Sequence, residues 1–455
     1  MIEQALAYVQ AHLDEFLDGY KELLRIPSIS TDPAYKEELL RCAAWVVAEM
    51  ERIGLNNCRT LPTAGHPVVY GEWLEAGPDK PTVLVYAHYD VQPVDPLSLW
   101  ESAPFEPTVR EGKLFARGAI DDKSGVWGNL KAFEAMFAAD GKLPVNIKVC
   151  FEGEEEMASP NMHAFVAANK ELLAADAVLL CDGGFKPERP SITYALRGAL
   201  AAEVTIRGPK KDLHSGAYGG VVHNPLHLAG KIVGSFHDET GRIQIPGYYD
   251  AVRALSESES AAMHDNWEQI KDRVMEGSTV DKLWAEPMGT PPERITALPT
   301  LDVNGISGGY EGPGIKTIIP SSATFKVTMR LVADQDPEVI AGLFTDHVMS
   351  FATDTLDIDV QILAKGWPVT MEFEGPLINA VQTALKATTG LEANLTRGGG
   401  SIPIGGMFQQ ELGAPLTALG VGFGENVHSP NEYLELEHFQ TGIDTLLHFY
   451  YAYGE

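Results

Sequence analysis

Histidines and carboxylates follow four short apolar runs of this chain, at or shortly after the point where each run ends. They are His88 and Asp90 after the run TVLVYA, Glu154, Glu155 and Glu156 after VNIKVCF, Asp182 after AVLLC, and His428 after PLTALGVG. A further acidic pair, Asp121 and Asp122, lies in the segment RGAIDDKSG. Imidazole and carboxylate groups are ligands of Zn²⁺, and Co²⁺ or Mn²⁺ accept similar sets. The pattern therefore predicts a site for divalent metal ions.

The overall charge of the chain makes such a gathering of acids unusual. The 455 residues include 63 Asp+Glu against 34 Lys+Arg, which gives a formal net charge of −29. This charge repels nucleic acids and anionic membranes, so we expect neither as a partner. Mutual repulsion would raise the pKa values of clustered carboxylates and cost stability. A pair of divalent cations about 3.5–4 Å apart, bridged by one carboxylate and one water, would resolve that repulsion.

Secondary-structure elements must bring these side chains together. Apolar residues at helical spacing predict helices near residues 2–24, 39–53, 124–139, 159–172 and 376–388. Short apolar runs predict buried strands at 82–87, 145–151, 177–181 and 415–422. The alternation of strands and helices indicates an α/β fold with a mixed, mostly parallel sheet and helices on both faces. Ligands bind beyond the carboxyl ends of such strands, which is where the acids and histidines lie.

The middle of the chain has a different pattern. Residues 199–207 and 323–332 alternate apolar and polar side chains, as half-solvated strands do, and the stretch between them is polar and rich in turns. Helix and buried-strand patterns return near residue 368. We therefore expect an inserted α+β domain at 191–370, inside a catalytic domain formed by 1–190 and 371–455.

Each of these motifs has an ordinary structural explanation when it is taken alone. A His-x-Asp sequence at a strand end is common in capped turns, an acidic run is common on a solvated face or in the first turn of a helix, and two adjacent aspartates often cap a helix. A single histidine near the C-terminus is commonly a surface residue. The occurrence of all of them at strand ends, in one chain, favours the metal site.

Eight segments together resemble a known family. HYDVQP, RGAIDDKSG, EGEEEMAS, LLCDGG and VHSPNEY are similar to motifs of the di-zinc metallopeptidases that include carnosine dipeptidase, aminoacylase, succinyl-diaminopimelate desuccinylase and carboxypeptidase G. KDLHSGAYGG, GIKTIIPSSATFKVTMRLV and RGGGSIPI resemble the cytosolic nonspecific dipeptidase branch. The resemblance extends from about residue 80 to 435. It implies a di-zinc exopeptidase-like fold whose inserted domain serves as a lid and dimerisation domain.

The resemblance assigns metal ligands residue by residue. It implies that His88 and Asp182 hold one metal, that Glu156 and His428 hold the other, and that Asp121 bridges them, with a cis peptide bond commonly following this aspartate. Asp90 would not bind a metal itself, but its carboxylate would orient the ring of His88. The alternative for Asp90 is a turn residue without a role in the site. The implied cofactors are two divalent ions, with Zn²⁺ as the expected metal and Mn²⁺ or Co²⁺ as alternatives.

The resemblance also implies catalytic groups. Glu155 would be the general base, since the family pattern Glu-Glu-x-Gly-Ser aligns with EEMAS, where Ala158 takes the place of the glycine. We expect the preceding Glu154 to be a solvated residue. His214 would stabilise the oxyanion, and in the family this histidine comes from the neighbouring subunit, which implies an active homodimer. A plain loop histidine is the alternative for His214.

Recognition of a peptide with a free carboxylate needs a cation. Arg330 resembles the carboxylate-binding arginine of the family, and a bidentate pair suits its planar guanidinium group. Thr317 and Ser401 would add hydrogen bonds. Arg397 is a further candidate, with a salt-bridged surface residue as the alternative.

These features lead to a ranked set of functions. We expect a metal-dependent exopeptidase that hydrolyses dipeptides or short peptides. An N-acyl amino acid deacylase would use the same site, and a catalytically silent binding protein is a distant third because no implied ligand is missing. Four cysteines without a CxxC pair, and an N-terminal segment without the basic start and apolar core of a signal peptide, favour the cytoplasm.

Overall fold

A computed structural model of the chain describes residues 1–284, 289–398 and 403–455, and these residues divide into two compact units. Unit 1 comprises residues 1–194, 371–396 and 407–455. Unit 2 comprises residues 195–370 and 397–406. Unit 1 is therefore built from segments that are far apart in the sequence.

The helices of the described residues are α1 (Ile2–Leu24), α2 (Lys36–Ile53), α3 (Lys123–Asp140), α4 (Met162–Ala168), α5 (Lys170–Leu173), α6 (Ser215–Tyr218), α7 (Pro225–Gly234), α8 (Glu257–Ser278), α9 (Pro291–Thr296), α10 (Pro337–Met349), α11 (Pro376–Thr389), α12 (Pro403–Leu412) and α13 (Leu436–Tyr453). Glycine ends several of them; at the end of α2, for example, Gly54 has a φ of 103° and caps the last turn. Within the described ranges, no helix combines the length and the apolar character that a membrane crossing requires.

The strands are β1 (Asn56–Leu61), β2 (Val68–Trp73), β3 (Thr82–His88), β4 (Thr108–Arg110), β5 (Lys113–Phe115), β6 (Asn146–Glu152), β7 (Ala177–Leu180), β8 (Ser191–Leu196), β9 (Gly198–Arg207), β10 (Leu213–His214), β11 (Thr300–Gly308), β12 (Ile318–Ile319), β13 (Ser322–Leu331), β14 (Asp357–Gly366), β15 (Val369–Thr370), β16 (Asn394–Gly398), β17 (Leu416–Ala418), β18 (Gly424–Glu425) and β19 (Tyr433–Glu435).

Unit 1 is built on a six-stranded sheet with the order β1-β2-β6-β3-β7-β17. The last four strands of this order are mutually parallel, and β1 and β2 form an antiparallel edge. Strand β6 is buried along its whole length, and β3 is buried except at its first residue, as expected of parallel strands covered on both faces. The prediction of a mixed, mostly parallel sheet is confirmed.

The register of the parallel strands aligns their carboxyl ends. His88 at the end of β3 lies opposite Glu152 at the end of β6, and Tyr86 lies opposite Leu180 at the end of β7. The segments that continue from these three strands therefore leave the sheet at the same edge. The site described below is built there.

Unit 2 contains a four-stranded antiparallel sheet with the order β11-β13-β9-β14. Buried and more exposed residues alternate along β9 and β13, because one face of the sheet covers an apolar core. Phe236, Phe325 and Phe344 pack together in that core. A second, two-stranded sheet pairs β10 with β12. The predicted strands at 199–207 and 323–332 correspond to β9 and β13.

Two predicted elements differ from the structure. The single helix expected at 159–172 is two short helices, α4 and α5, separated at Asn169, whose side-chain amide donates to the carbonyl of Phe165 and competes with helical hydrogen bonding. The strand expected at 415–422 ends at Ala418. A Cβ at Gly420 would lie 2.6 Å from the carbonyl oxygen of Gly183, so the backbone turns in close contact there instead of extending.

Candidate metal centre

Asp121 lies between two histidines at the carboxyl edge of the sheet in unit 1. His88, the last residue of β3, places its Nε2 atom 3.2 Å from Oδ1 of Asp121. His428, in the loop between β18 and β19, places its Nε2 atom 2.9 Å from the other oxygen, Oδ2. One carboxylate therefore faces a different imidazole with each of its oxygens.

Each histidine has a second acidic neighbour. Oδ1 of Asp182, which follows β7, lies 3.8 Å from Nε2 of His88, and Oε2 of Glu156 lies 3.2 Å from Nε2 of His428. Two groups of three potential ligands result, namely His88 with Asp121 and Asp182, and Asp121 with Glu156 and His428. Asp121 is common to both groups. This donor set of imidazole nitrogens and carboxylate oxygens fits a pair of divalent cations.

The aspartate next to Asp121 serves a different part of the structure. The peptide bond between Asp121 and Asp122 is cis, as the resemblance implied. The carboxylate of Asp122 accepts hydrogen bonds from the backbone N–H groups of His88 at 3.1 Å and Gly125 at 3.3 Å, and so caps α3. The carboxylate of Asp122 therefore accepts backbone hydrogen bonds, whereas that of Asp121 faces the imidazoles of His88 and His428.

Asp90 links the ring of His88 to the segment that carries Glu155 and Glu156. Nδ1 of His88 lies 3.1 Å from the carbonyl oxygen of Asp90 and 3.5 Å from its carboxylate. A proton on Nδ1 satisfies this carbonyl and leaves Nε2 as the ligand atom of the neutral ring. The carboxylate of Asp90 also accepts the backbone N–H groups of Glu155 at 3.3 Å and Glu156 at 3.1 Å.

Glu155 approaches the same cluster from the side of β6. Its Oε2 atom lies 4.0 Å from Nε2 of His88, and its side chain is 21% exposed, so solvent reaches it. Burial raises the pKa of Glu155 to about 7, a shift that His88 opposes and that the charges of Asp182 and Asp90 reinforce. A carboxylate with a pKa near neutrality suits a group that takes up and returns a proton.

The cluster contains more negative charge than its two imidazoles can balance. Burial acts to raise the pKa of Asp121, but hydrogen bonds from His428 and His88 hold that pKa below its usual value. Burial and the charge of Asp121 raise the pKa of Glu156. Burial acts to lower the pKa of His88, whereas hydrogen bonds to Asp121 and Asp182 raise it well above its usual value. Positive charge from metal ions would compensate the surplus.

Glu432 positions the Asp121 segment and was not among the predicted site residues. Its fully buried carboxylate accepts the backbone N–H groups of Gly118, Ile120 and Asp121 at 2.9, 2.9 and 3.2 Å. It also accepts a 2.7 Å hydrogen bond from Nη1 of the buried Arg117. Its place in VHSPNEY, four residues after the predicted ligand His428, was the available signal, because carboxylates commonly support metal ligands from the surrounding shell.

The prediction for Glu154 was wrong. It was expected to be solvated, but it is only 3% exposed. Its carboxylate accepts hydrogen bonds from the backbone N–H of His66 at 2.8 Å and from the side-chain amide of Asn161. Gln92 in HYDVQP was not among the predicted site residues, and its side-chain amide donates to Oε2 of Glu156 at 2.6 Å.

His214 and Thr317 are neighbours in unit 2. His214 pairs with Ile318 across the β10–β12 ladder, and the N–H of Ser215 donates to the carbonyl of Thr317 at 3.0 Å. The ring of His214 is exposed, and its Nδ1 atom accepts the N–H of Gly216 at 3.0 Å. In the neutral ring the proton is then on Nε2, which makes that atom a hydrogen-bond donor.

The predicted arginines occupy different environments in unit 2. Arg330 is half-buried in β13. Burial of Arg197, reinforced by the charge of Arg330, lowers the pKa of Arg197 to about 10, although Asp302 opposes the shift. Arg397 is buried and ion-paired with Glu259 at 3.2 Å, so it is not the surface residue that was weighed as the alternative. Ser401 lies outside the described residues.

Comparison with known proteins places the chain in a family. The model of the peptidase family M20/M25/M40 matches residues 84–452. A relative from Schizosaccharomyces pombe, named as a Cys-Gly metallodipeptidase, is 31% identical over 450 residues, with 94% of each chain covered. The human Beta-Ala-His dipeptidase is 30% identical over 456 residues, which cover 95% of this chain and 89% of the relative.

Solved structures agree with the family model. An M20 family metallo-carboxypeptidase from Sulfolobus solfataricus superposes with a TM-score of 0.80 at 31% identity, with 97% of this chain and 99% of that chain covered. The sequence and structural similarities thus both extend over almost the whole chain. The chain therefore belongs to the peptidase family M20/M25/M40, and it is a hydrolase with metallodipeptidases among its relatives.

Proposed function

We propose that this chain is a metal-dependent exopeptidase that hydrolyses dipeptides, or short peptides, with a free C-terminal carboxylate. The observation that carries the proposal is the position of Asp121, whose two oxygens face His88 and His428 and which belongs to both ligand groups. The dipeptidase names of the relatives support the substrate class.

Five residues would hold two divalent ions, for which Zn²⁺ is the expected metal and Mn²⁺ or Co²⁺ are alternatives. His88 and Asp182 would bind one ion, Glu156 and His428 the other, and Asp121 both. The ions, when bound, would supply Lewis-acid polarisation of the scissile carbonyl and lower the pKa of a water. Asp90 would keep His88 in the required tautomer through the contacts at Nδ1.

Glu155 would move the proton during hydrolysis. It would accept a proton from the attacking water and return it to the leaving amine. Its partial exposure and its raised pKa support this role. Glu154 would not replace it, because its carboxylate is held by His66 and Asn161.

His214 would stabilise the oxyanion of the tetrahedral intermediate from the partner subunit of a homodimer. The exposed ring and the hydrogen bond from Gly216 to Nδ1 support the proposal, because a proton on Nε2 can be donated to the oxyanion. Arg330 would bind the substrate carboxylate, with hydrogen bonds from Thr317 and Ser401. The proximity of Arg197 adds positive charge beside Arg330. Arg397 would contribute indirectly, since Glu259 already pairs with it.

A cytoplasmic location completes the proposal. All four cysteines are free thiols, and Cys42, Cys150 and Cys181 are buried. Such a set suits a reducing compartment.

A carboxypeptidase that acts on longer peptides is the second candidate. The similarity to the solved metallo-carboxypeptidase favours it. The decisive experiment is a hydrolysis panel on protein reconstituted with Zn²⁺, Mn²⁺ or Co²⁺, with chelator-treated controls. The substrates share C-terminal residues and differ at the N-terminus: free dipeptides, tripeptides and longer peptides, and N-acetyl or N-succinyl amino acids.

Each outcome of the panel has a distinct meaning. We expect the free dipeptides to be hydrolysed fastest and chelation to abolish turnover. A preference for longer peptides would favour the carboxypeptidase. A preference for acylated amino acids would establish the deacylase and overturn the proposed substrate, and turnover that survives complete metal removal would overturn the mechanism.

A further inference from the structure

A second group of carboxylates surrounds His438 in the first turn of α13 and shares no residue with the centre around Asp121. Nε2 of His438 lies 3.5 Å from Oε2 of Glu435, 3.6 Å from Oε1 of Glu437 and 3.6 Å from Oε1 of Glu188. Glu435 and Glu437 flank the start of α13, whereas Glu188 comes from a loop far away in the sequence. The proposed peptidase mechanism uses none of the four.

The imidazole at the middle of this group is buried and lacks a hydrogen bond. His438 is only 8% exposed, and its Nε2 atom has no hydrogen-bond partner among the described residues. If it were a protonated imidazolium paired with a carboxylate, one oxygen would lie about 2.7–2.9 Å away. All three oxygens lie farther away than that, at 3.5–3.6 Å. Nε2 therefore lies within ion-pair distance of three acids but donates a hydrogen bond to none of them.

The same distances suit ligands of one metal ion. Zn²⁺ binds imidazole nitrogen and carboxylate oxygen at about 2.0–2.2 Å, so two ligand atoms of a tetrahedral site are about 3.3–3.6 Å apart. The three separations from Nε2 are 3.5–3.6 Å. Single ligand atoms of Glu435, Glu437 and His438 also lie within 4.8 Å of one another.

The dipole of α13 accounts for only part of the group. Acids at the start of a helix stabilise its N-terminus, which explains Glu435 and Glu437. It does not explain Glu188 or the inward direction of Nε2. Lys113 offsets some of the charge, with its ammonium 3.8 Å from Oε1 of Glu435, but that ammonium also lies over the ring of Tyr433.

We propose that His438, Glu435 and Glu437 form an additional divalent-cation site of the zinc type. Glu188, which lies outside this group of three but 3.6 Å from Nε2 of His438, would complete the site by a rotation of its exposed side chain, and the ion would fasten the loop that contains Glu188 to the start of α13. The side chains of Glu188 and Glu437 are 72% and 76% exposed, so an ion can enter from solvent. The site is a structural one, separate from the catalytic pair.

The test counts metal ions in the holoenzyme. Wild-type protein with its catalytic sites filled is titrated with Zn²⁺ and dialysed, and bound zinc per chain is measured by mass spectrometry. His438→Asn and Glu188→Gln should each bind one zinc fewer per chain than wild type. His448→Asn, a change at a half-buried histidine of the same helix, is the matched control and should bind as many ions as wild type.

Glu188→Gln keeps the test decisive if His438→Asn fails to fold, because Glu188 is a surface side chain. Thermal unfolding gives a second readout: added Zn²⁺ should raise the Tm of wild type and of His448→Asn more than that of Glu188→Gln. Equal zinc content in wild type and both site variants would overturn the proposal. Because the comparison is of zinc counts, it is independent of whether the chain hydrolyses dipeptides.

Discussion

At the scale of single residues, neighbouring acids of the same type have different tasks because of their contacts. Asp121 faces two imidazoles, whereas Asp122 accepts backbone N–H groups. Glu155 remains open beside His88, whereas Glu154 is buried and hydrogen-bonded. Backbone direction and the available partners, not residue type, separate these roles.

The first prediction concerns Glu155. Replacement by Gln removes the proton acceptor but keeps the size of the side chain, so kcat should fall by about 10²–10⁴-fold while two metals stay bound. Steady-state kinetics and metal analysis of the same preparation measure both quantities.

Glu154→Gln is the control one residue away. It should keep most turnover, because one amide oxygen can still accept the hydrogen bonds from His66 and Asn161. If Glu154→Gln lost activity and Glu155→Gln kept it, the assignment of the base would be shifted by one residue.

The second prediction concerns Ala158, where the family pattern has glycine. Ala158 has a φ of 65°, a left-handed conformation that costs a side chain roughly 1–2 kcal/mol. Ala158→Gly removes this cost. Glycine also increases the conformational entropy of the unfolded chain, which cancels part of the gain, so the free energy of unfolding should rise by about 0.5–1 kcal/mol.

Chemical denaturation measures that change. Ala167→Gly, at an exposed position within α4, should lower the free energy of unfolding by about 0.5–1 kcal/mol. A destabilised Ala158→Gly variant would show that the left-handed backbone is not what limits stability there.

At the scale of elements, the ends of three parallel strands and two loops must stay in register. The strand ends position His88, Glu156 and Asp182, and the loops position Asp121 and His428. Glu432 joins two of these segments: it lies between His428 and β19, and it holds the backbone that leads into Asp121. Its ion pair with Arg117 is buried on both sides, with side-chain exposures of 0% and 1%.

The third prediction follows from this buried pair. Glu432→Gln leaves the charge of Arg117 uncompensated and weakens the backbone hydrogen bonds, so the free energy of unfolding should fall by about 3–5 kcal/mol. Metal affinity should fall as well, because the Asp121 segment loosens. Denaturant titrations, with and without chelator, and metal-binding isotherms measure both effects.

An exposed ion pair supplies the contrast. Glu268→Gln breaks the pair with Lys271, in which the side chains are 66% and 42% exposed, and should change the free energy of unfolding by less than about 1 kcal/mol. Similar effects of the two substitutions would refute the structural role assigned to Glu432.

At the scale of the whole molecule, the proposed function requires both units. The proposed metal ligands and Glu155 belong to unit 1, and His214, Thr317 and Arg330 belong to unit 2. If His214 acts in the site of the partner subunit, neither subunit is active alone.

The fourth prediction tests this sharing. Glu155→Gln and His214→Asn should each be inactive, but a heterodimer of the two would contain one site with both wild-type residues. Co-expression of the two variants in equal amounts should therefore restore about a quarter of the wild-type activity, since half of the dimers are mixed and each has one intact site. Differently tagged chains allow the mixed dimers to be purified. Activity no higher than that of the separate variants would contradict a shared site.

The sequence by itself determined the main buried strands of the sheet in unit 1, several of the helices and the chemical type of the site. Strand ends follow from local apolar patterns, and parallel strands align their carboxyl ends, so His88, Asp182 and the acids after β6 could be placed at one edge from the sequence. The motifs around them identified the family. These features depend on short segments and on a general rule of α/β folds.

Tertiary structure decided which atoms meet. The two oxygens of Asp121 face His88 and His428, which are far from it in the sequence. Glu154 is likewise buried against the distant His66, and Glu432 supports the distant backbone of Asp121. The gathering of acids around His438 depends likewise on a distant loop. Local pattern contains no information on such contacts, because they form only when packing of the whole unit sets the distances between segments.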